Sequence, residues 1–438
     1  MTRPGYKMTE IEEIPQEWKL GSLASVSENE NGIVAGPFGS NLKVSDYTNV
    51  GIPLIRLQNI ASNSFVYKDI KYISEEKAEE LFYHSFMAGD IVLAKLGDPI
   101  GVACIIPPEL PHGIVVADVV RIRVSEKKAD KHFVVQILNS PICLQQLKSA
   151  KIGSTRPRVN LSNVRNIRLI LPSLQEQQKI AEILSSMDKA IQRVNDQVTK
   201  TERLKKGLMQ TLLTKGIGHT KFKMTEIGKI PEEWALRTFK EILQIRKRKD
   251  EGKFEKIYAI PMELIPERGI YCSYRAIEAN EVIPPTYCES GDILLPKITP
   301  SVENGKQGIV PVLPSGHAFA TSEVYSIVAE NNLTTLYTFY LLKMDLYRKH
   351  LINSMIGTTG RQRIPKYSIF NLVFPIPPLS EQQKIAEILS NIDSYLESLE
   401  NYKIKLGSLK NGLMQDLLTG KFRVNNLKGV LNINGNTV

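Results

Sequence analysis

The sequence predicts an α+β protein: two globular, mainly-β or mixed domains separated by two long antiparallel α-helices, internally duplicated with pseudo-two-fold symmetry. Three observations lead there. LQEQQKIAEILSSMD at residues 174–188 returns as LSEQQKIAEILSNID at residues 379–393, a step of 205 residues from Leu174 to Leu379. That step is too long for a short solenoid repeat and long enough to hold a domain. Each copy continues as an apolar seam at helical spacing, whereas the regions between copies hold short Val/Ile runs broken by Gly, Pro and Asn. At 438 residues, with 42% apolar and 23% charged side chains, the chain exceeds what one core usually supports.

The elements repeat in a fixed order. YKMTEIEEIPQEW, ending at Trp18, is echoed by FKMTEIGKIPEEW, ending at Trp234, and LKKGLMQTLLT at 204–214 by LKNGLMQDLLT at 409–419. Weaker marks lie between them: AGDIVLAKLGD at 88–98 parallels SGDILLPKITP at 290–300, and IGSTRPRVN at 152–160 parallels IGTTGRQRIP at 356–365. Each helix follows a proline-containing segment, with Ser173 and Glu176, or Ser380 and Gln383, spaced as a capping box.

In the first helix the predicted packing face is Ile180, Leu184, Met187, Ile191, Val194 and Val198, resuming at Leu208 and Leu212 after Thr201 and Lys205 interrupt it. In the second it is Ile385, Leu389, Ile392, Leu396, Leu399, Leu406, Leu413 and Leu417, with Lys403 and Lys410 among them. Residues 176–213 would form a rod of roughly 57 Å. Two matching seams joined by a domain-length connection would be buried most simply against each other, antiparallel; an oligomerisation coiled coil is the alternative. A rod holding two related domains at fixed separation suits two separated sites on duplex DNA.

The net charge of +10 and pI near 9.2 favour a polyanionic partner without choosing one. No apolar leader or run of 18 apolar residues occurs, so a cytoplasmic protein without a membrane span is expected. Cys104, Cys143, Cys272 and Cys288 are widely spaced, which suits reduced structural thiols rather than a metal site. No catalytic residue is assigned. A phosphate loop and an NPPY-like adenine pocket are both missing from the sequence, and Asp90 and Asp292, despite Lys95 and Lys297 nearby, read as turn residues after a glycine. His84, His112 and His317 stay unassigned.

IPxxW at Ile14 to Trp18 and Ile230 to Trp234, GPFGSNLKVSDY at Gly36 to Tyr47, GIPLIRLQNI at Gly51 to Ile60, GD at Gly89 and Gly291, P(S/P)LxEQQKIAEIL and LKxGLMQxLLT together resemble the specificity (S) subunit, HsdS, of bacterial type I restriction-modification systems. The resemblance covers essentially the whole chain. It implies two target-recognition domains, 1–172 and 218–377, two conserved spacer helices, 173–217 and 378–424, and a tail, 425–438. Each domain would read one half of a bipartite site in double-stranded DNA, and the helices would set the gap and help dock two methyltransferase (M) subunits. Restriction (R) subunits would join them. The chain would be noncatalytic alone and hold no cofactor, with S-adenosylmethionine, ATP and Mg on the partner subunits. The second domain has RKRKDEGKFEKIYAIPMELI in place of GxFGS and GIPLIRxxNI, which points to a different recognition subclass.

Sequence readout favours Arg, Lys, Asn and Gln on rigid loops. Candidates for DNA contact in the first domain are Ser40, Asn41 and Lys43, with Arg156 and Arg158; in the second, Arg361, Gln362 and Arg363 occupy the matching loop. Arg246, Lys247, Arg248 and Lys249 are candidates to follow phosphates, or else a solvated face. The alternative function is a coiled-coil scaffold whose two domains bind proteins or glycans.

Overall fold

The computed structural model describes residues 2–151, 158–247, 257–278, 283–330, 333–358 and 360–424. It divides into two compact units, residues 1–193 with 403–438, and residues 194–402. The long helices, Leu174–Lys215 and Leu379–Leu418, each contribute one half to each unit. No described helix is long and apolar enough to cross a membrane.

In the first unit one four-stranded sheet has the order Ala103–Ile105, Ile91–Ala94, Val119–Ile122, Ile33–Ala35, and a second the order Lys71–Ile73, Ile52–Ile55, His112–Val115, Ser85–Met87. The second unit repeats both orders: Gly308–Ile309, Ile293–Pro296, Val324–Ala329, Leu243–Ile245, and Arg275–Ala276, Tyr258–Ile260, His317–Ala320, Thr286–Glu289. Each second sheet holds one parallel pair, Leu54 beside Ile114 and Ala259 beside Phe319. Tyr258–Ile260 thus takes the place of the GIPLI strand although the motif is missing. What the sheet requires there is a short apolar run, which YAI supplies as well as IPLI.

Helices cover the outer face of each first sheet. Asp130 caps Lys131–Leu138 by accepting from Phe133 N at 2.8 Å, and Thr334 caps Thr335–Lys343 by accepting from Tyr337 N at 3.3 Å. The first core joins Trp18, Leu93, Val120, Phe133 and Ile137 to Ile180, Leu184, Met414, Leu417 and Leu418; the second joins Trp234, Phe239, Ile293, Tyr337 and Phe339 to Leu212, Leu213, Ile385 and Leu389. The helix halves are antiparallel in each unit. Glu176 meets Arg423 and Asp188 meets Lys410 in the first; Glu381 meets His219 and Asp393 meets Lys205 in the second.

Of the predicted packing face, Ile180, Leu184, Val194, Val198, Leu212, Ile385, Leu389, Leu399, Leu406 and Leu417 are buried, whereas Met187, Ile191, Leu208, Ile392, Leu396 and Leu413 are half-buried. Leu213, Met414 and Leu418 are buried as well. Near its end each helix packs against a domain core as well as its partner, which widens the apolar stripe beyond two positions per heptad. Ser173 accepts from Glu176 N at 3.3 Å, but the Ser380 cap is corrected. The second helix already begins at Leu379, and the N–H groups of Glu381 and Gln382 donate to the Pro378 carbonyl.

The repeated motifs meet in one buried junction per unit. Trp18 Nε1 donates to Glu176 Oε2 at 3.2 Å, and Arg423 donates to Glu176 Oε1 at 2.7 and 3.0 Å. In the second unit Trp234 Nε1 donates to Glu381 Oε2 at 2.9 Å, with His219 Nε2 2.9 Å from Oε1. The next residue, Gln177 or Gln382, bridges the carbonyl of Pro172 or Pro377 and the N–H of the helix cap Asp130 or Thr334, all at 2.9–3.0 Å. Gly216 and Gly420 close the junctions at φ +68° and +72°; a Cβ would come within 2.4 Å of Glu381 Oε1 or 2.5 Å of Pro15 Cγ.

Candidate nucleic-acid interface

At one end of each first sheet a lysine, a carboxylate and an arginine converge. Lys95 N donates to the Asp118 carbonyl at 3.0 Å, Val159 N donates to the Lys95 carbonyl at 3.1 Å, and Arg158 Nη2 lies 3.2 Å from Asp118 Oδ1. In the second unit Lys297 N donates to the Glu323 carbonyl at 3.0 Å and Ile364 N to the Lys297 carbonyl at 2.8 Å. Arg363 there holds Glu323 through both carboxylate oxygens at 2.8 and 2.9 Å. Burial, with Arg158 adding to it and Asp118 opposing, pulls the Lys95 ammonium below its usual range. Burial does the same to Lys297, aided by Arg363 and Lys366 and opposed by Glu323. Each cluster therefore offers two cations to one acid. Bidentate pairing fixes the Arg363 fork while leaving it half exposed.

The loop after Ile33–Ala35 leaves from the same sheet end. Gly36 N donates to the Val119 carbonyl at 3.0 Å, and a Cβ at Gly36 would stand 2.1 Å from the Val116 carbonyl, so only glycine allows this approach. Leu42 and Tyr47 fasten the far side of the loop to Leu54, Ile73, Leu81 and Ile114. Between these anchors Ser40 and Asn41 are exposed, as is Lys43, whose N–H donates to Asp46 Oδ2 at 2.7 Å. Gly36 and Arg158, more than a hundred residues apart in sequence, thus meet the same short segment, Gly36 against Val115 and Val116 and Arg158 against Asp118.

In the second unit Arg361 is exposed and Gln362 half-buried, its carbonyl accepting from Thr299 N at 3.1 Å. Lys247 is exposed. Arg246 is turned inward: its guanidinium holds Asp292 at 2.5 and 2.7 Å and Glu289 at 2.7 Å. Arg156, Arg248, Lys249 and the tail 425–438 lie outside the described residues. Sequence reasoning did not single out Lys95, Asp118, Lys297 or Glu323 as members of one cluster; the shared lysine of AKLGD and PKITP was the available signal.

Asp90 and Asp292 close turns. Asp90 Oδ2 accepts from Met87 N at 2.8 Å and Asp292 Oδ2 from Glu289 N at 2.9 Å, and arginines claim both carboxylates. The four cysteines are buried and unpaired with one another, and burial pushes the Cys104, Cys143 and Cys272 thiols up to about 12. Among the described residues no group of three or more His, Cys, Asp or Glu side chains is arranged to hold a metal ion.

Residues 15–200 and 231–406 match the family described as the type I restriction modification DNA specificity domain. The chain is 32% identical over 300 residues to the type I restriction enzyme MjaVIII specificity subunit of Methanocaldococcus jannaschii, covering 64% of this chain and 68% of that one. It is 23% identical over 445 residues to the MjaIX specificity subunit of the same organism, covering 96% and 97%. Among solved structures, the S subunit of a type I restriction-modification system from M. genitalium superposes with a TM-score of 0.53 at 13% identity, over 95% of this chain and 99% of that one. A chain from a study of complex assembly and conformational transition of the type I R-M system gives 0.54 at 16% identity, over 93% and 99%. The two matched segments take in both variable regions and most of both long helices: the chain belongs to the type I restriction-modification specificity family and is a noncatalytic, HsdS-like S subunit.

Proposed function

We propose that each unit reads one half of a bipartite site in double-stranded DNA, using the sheet end that carries Lys95, Asp118 and Arg158 or Lys297, Glu323 and Arg363. The observation that carries this reading is the recurrence of one cation–acid–cation cluster at the same end of the same sheet in both units. Ser40, Asn41, Lys43, Arg361 and Gln362 stand on the adjoining loops as base or phosphate contacts, with Arg156 as a further candidate. Lys247, Arg248 and Lys249 would follow phosphates. The target-recognition domains are 1–172 and 218–377. The spacer helices, 173–217 and 378–424, set the gap and help dock two methyltransferase subunits, which restriction subunits join; S-adenosylmethionine, ATP and Mg act on those partners.

The test is methylation mapping on the complex of this chain with its methyltransferase subunits and S-adenosylmethionine. Two half-sites should appear, with Arg158→Ala relaxing one and Arg363→Ala the other. Equal loss at both halves from either substitution would overturn the division of labour. Inserting four residues between Ala190 and Ile191 adds about 6 Å of rise and little net rotation. In folded, active protein this should lengthen the gap while both half-sites persist; an unchanged gap would remove the helices' measuring role.

A further inference from the structure

The first unit buries a charge that its own fold does not use. Arg121, in strand Val119–Ile122, is 4% exposed, and its Nε has no hydrogen-bond partner among the described residues. Strand register gives its counterpart. Ile91 pairs with Ile122 and Ile293 with Ile327, so Ser326 occupies the same place in the second unit. Ser326 Oγ donates to Asp292 at 2.8 Å, whereas in the first unit Arg123 holds both oxygens of Asp90, at 2.8 and 3.0 Å, and leaves Arg121 surplus. Burial, then Arg123, pulls the Arg121 guanidinium below its usual range, against Asp90, Tyr83 and Glu28. Burying an unpaired cation is costly, which argues for a partner outside the chain.

Of the exposed aromatics in this unit, Tyr83 is close enough for its hydroxyl to bear on the Arg121 charge. Val34 is the cross-strand neighbour of Arg121, and the next residue, Ala35, has its carbonyl 2.7 Å from His84 Nδ1. That contact fastens the turn Phe82–His84 to the start of the loop that carries Phe38. Phe38 is 85% exposed, Phe82 76% and Tyr83 56%. An apolar protein surface laid over these rings would leave Arg121 buried and unpaired. A base step of duplex DNA offers both flat apolar faces and acceptor atoms. We propose that Phe38 and Phe82 form an apolar wedge that parts one base step within the half-site of the first unit, and that Arg121 takes an acceptor at the opened step. The inference rests on the DNA-reading function proposed above and applies to this unit alone. In the second unit Ser326 replaces Arg121, and Ile283, Pro284 and Pro285 precede the strand that Phe82–His84 precedes in the first.

The experiment uses the complex with methyltransferase subunits, once its site has been mapped, and duplexes with 2-aminopurine walked through the first unit's half-site. One step other than the methylated adenine should brighten several-fold. That signal should vanish in Phe38→Ala, Phe82→Ala and Arg121→Gln, with roughly tenfold weaker binding for the Phe variants and an unchanged melting temperature. A mismatch placed at the same step should restore binding to the Phe variants, because the opening has already been made. If the complex methylates its site while no second step brightens, or if the step brightens equally in the Phe variants, the wedge is wrong and the reading of DNA stands. If the complex neither binds nor methylates a bipartite site, both fall. Phe38→Leu and Phe82→Leu guard against misfolding, since a leucine wedge should keep much of the signal.

Discussion

Lys410 Nζ lies 2.5 Å from Asp188 Oδ1, and Gln136 Nε2 donates to the other oxygen of Asp188 at 2.7 Å. The equivalent positions, Lys205 and Asp393, meet at the same distance, with Tyr340 Oη donating to Asp393 at 2.7 Å. Each pair joins a lysine of one long helix to the aspartate of the other, so the lysines that interrupt the apolar seam mark where the helices are held in register. Lys410→Met should lower stability by about 2 kcal/mol, below the full cost of breaking a buried pair because Asp188 keeps some solvent. Adding Asp188→Leu should return only part of that loss, because the buried Gln136 Nε2 then has no acceptor. A urea midpoint unchanged in the single variant would show that the pair does not hold the helices.

The junction at Glu176 predicts a different signature. Glu176→Gln keeps an oxygen for Trp18 but removes the charge that Arg423 holds, at a cost of about 1–3 kcal/mol. The chain has two tryptophans, one in each junction, so fluorescence of Trp18→Phe and Trp234→Phe backgrounds reads the units separately. Loosening should appear at Trp18 with Glu176→Gln and at Trp234 with Glu381→Gln. A change at both from either substitution would mean that the junctions are not local.

Gly36→Ala places a methyl against the Val116 backbone, which cannot move without parting the sheet end. The expected cost is about 1–3 kcal/mol. Methylation mapping should show relaxed reading of the first half-site with the second intact. Full retention of both would mean that the loop reads no bases.

Lys343 gives a pH test. Burial, then the nearby Lys205 and Arg348, pushes its ammonium down to about 8 from an ordinary 10.5, with Asp393 opposing. A lysine depressed in the folded state sheds its proton there first. Between pH 8 and 10.5 the unfolded chain binds more protons, and this residue's contribution to stability rises with pH. The rise should amount to about 2–3 kcal/mol at 1.36 kcal/mol per unit. Comparing wild type with Lys343→Met by denaturant unfolding isolates it. Parallel pH profiles would show that the Lys343 ammonium is not strained.

The sequence alone determined the duplication, the two long helices and the family, because each is written in local strings: a repeated EQQKIAEIL, a seam at helical spacing and IPxxW before each domain. It also offered Ser40, Asn41, Arg158 and Arg363 as candidates for DNA contact, since glycine-bounded polar and basic loops are visible without neighbours. Only the tertiary structure decided that Trp18, Glu176 and Arg423 are one junction, and that Lys205 and Lys410 are ion-pair partners rather than flaws in the seam. The same holds for Arg246, which the charge run offered as a phosphate contact or a solvated face and which the fold turns onto Asp292. Strand register alone shows that Arg121 and Ser326 hold equivalent places in the two units. Helical periodicity is a property of neighbours along the chain, whereas the partner of a buried charge is chosen by strand order and packing, which bring together residues hundreds of positions apart.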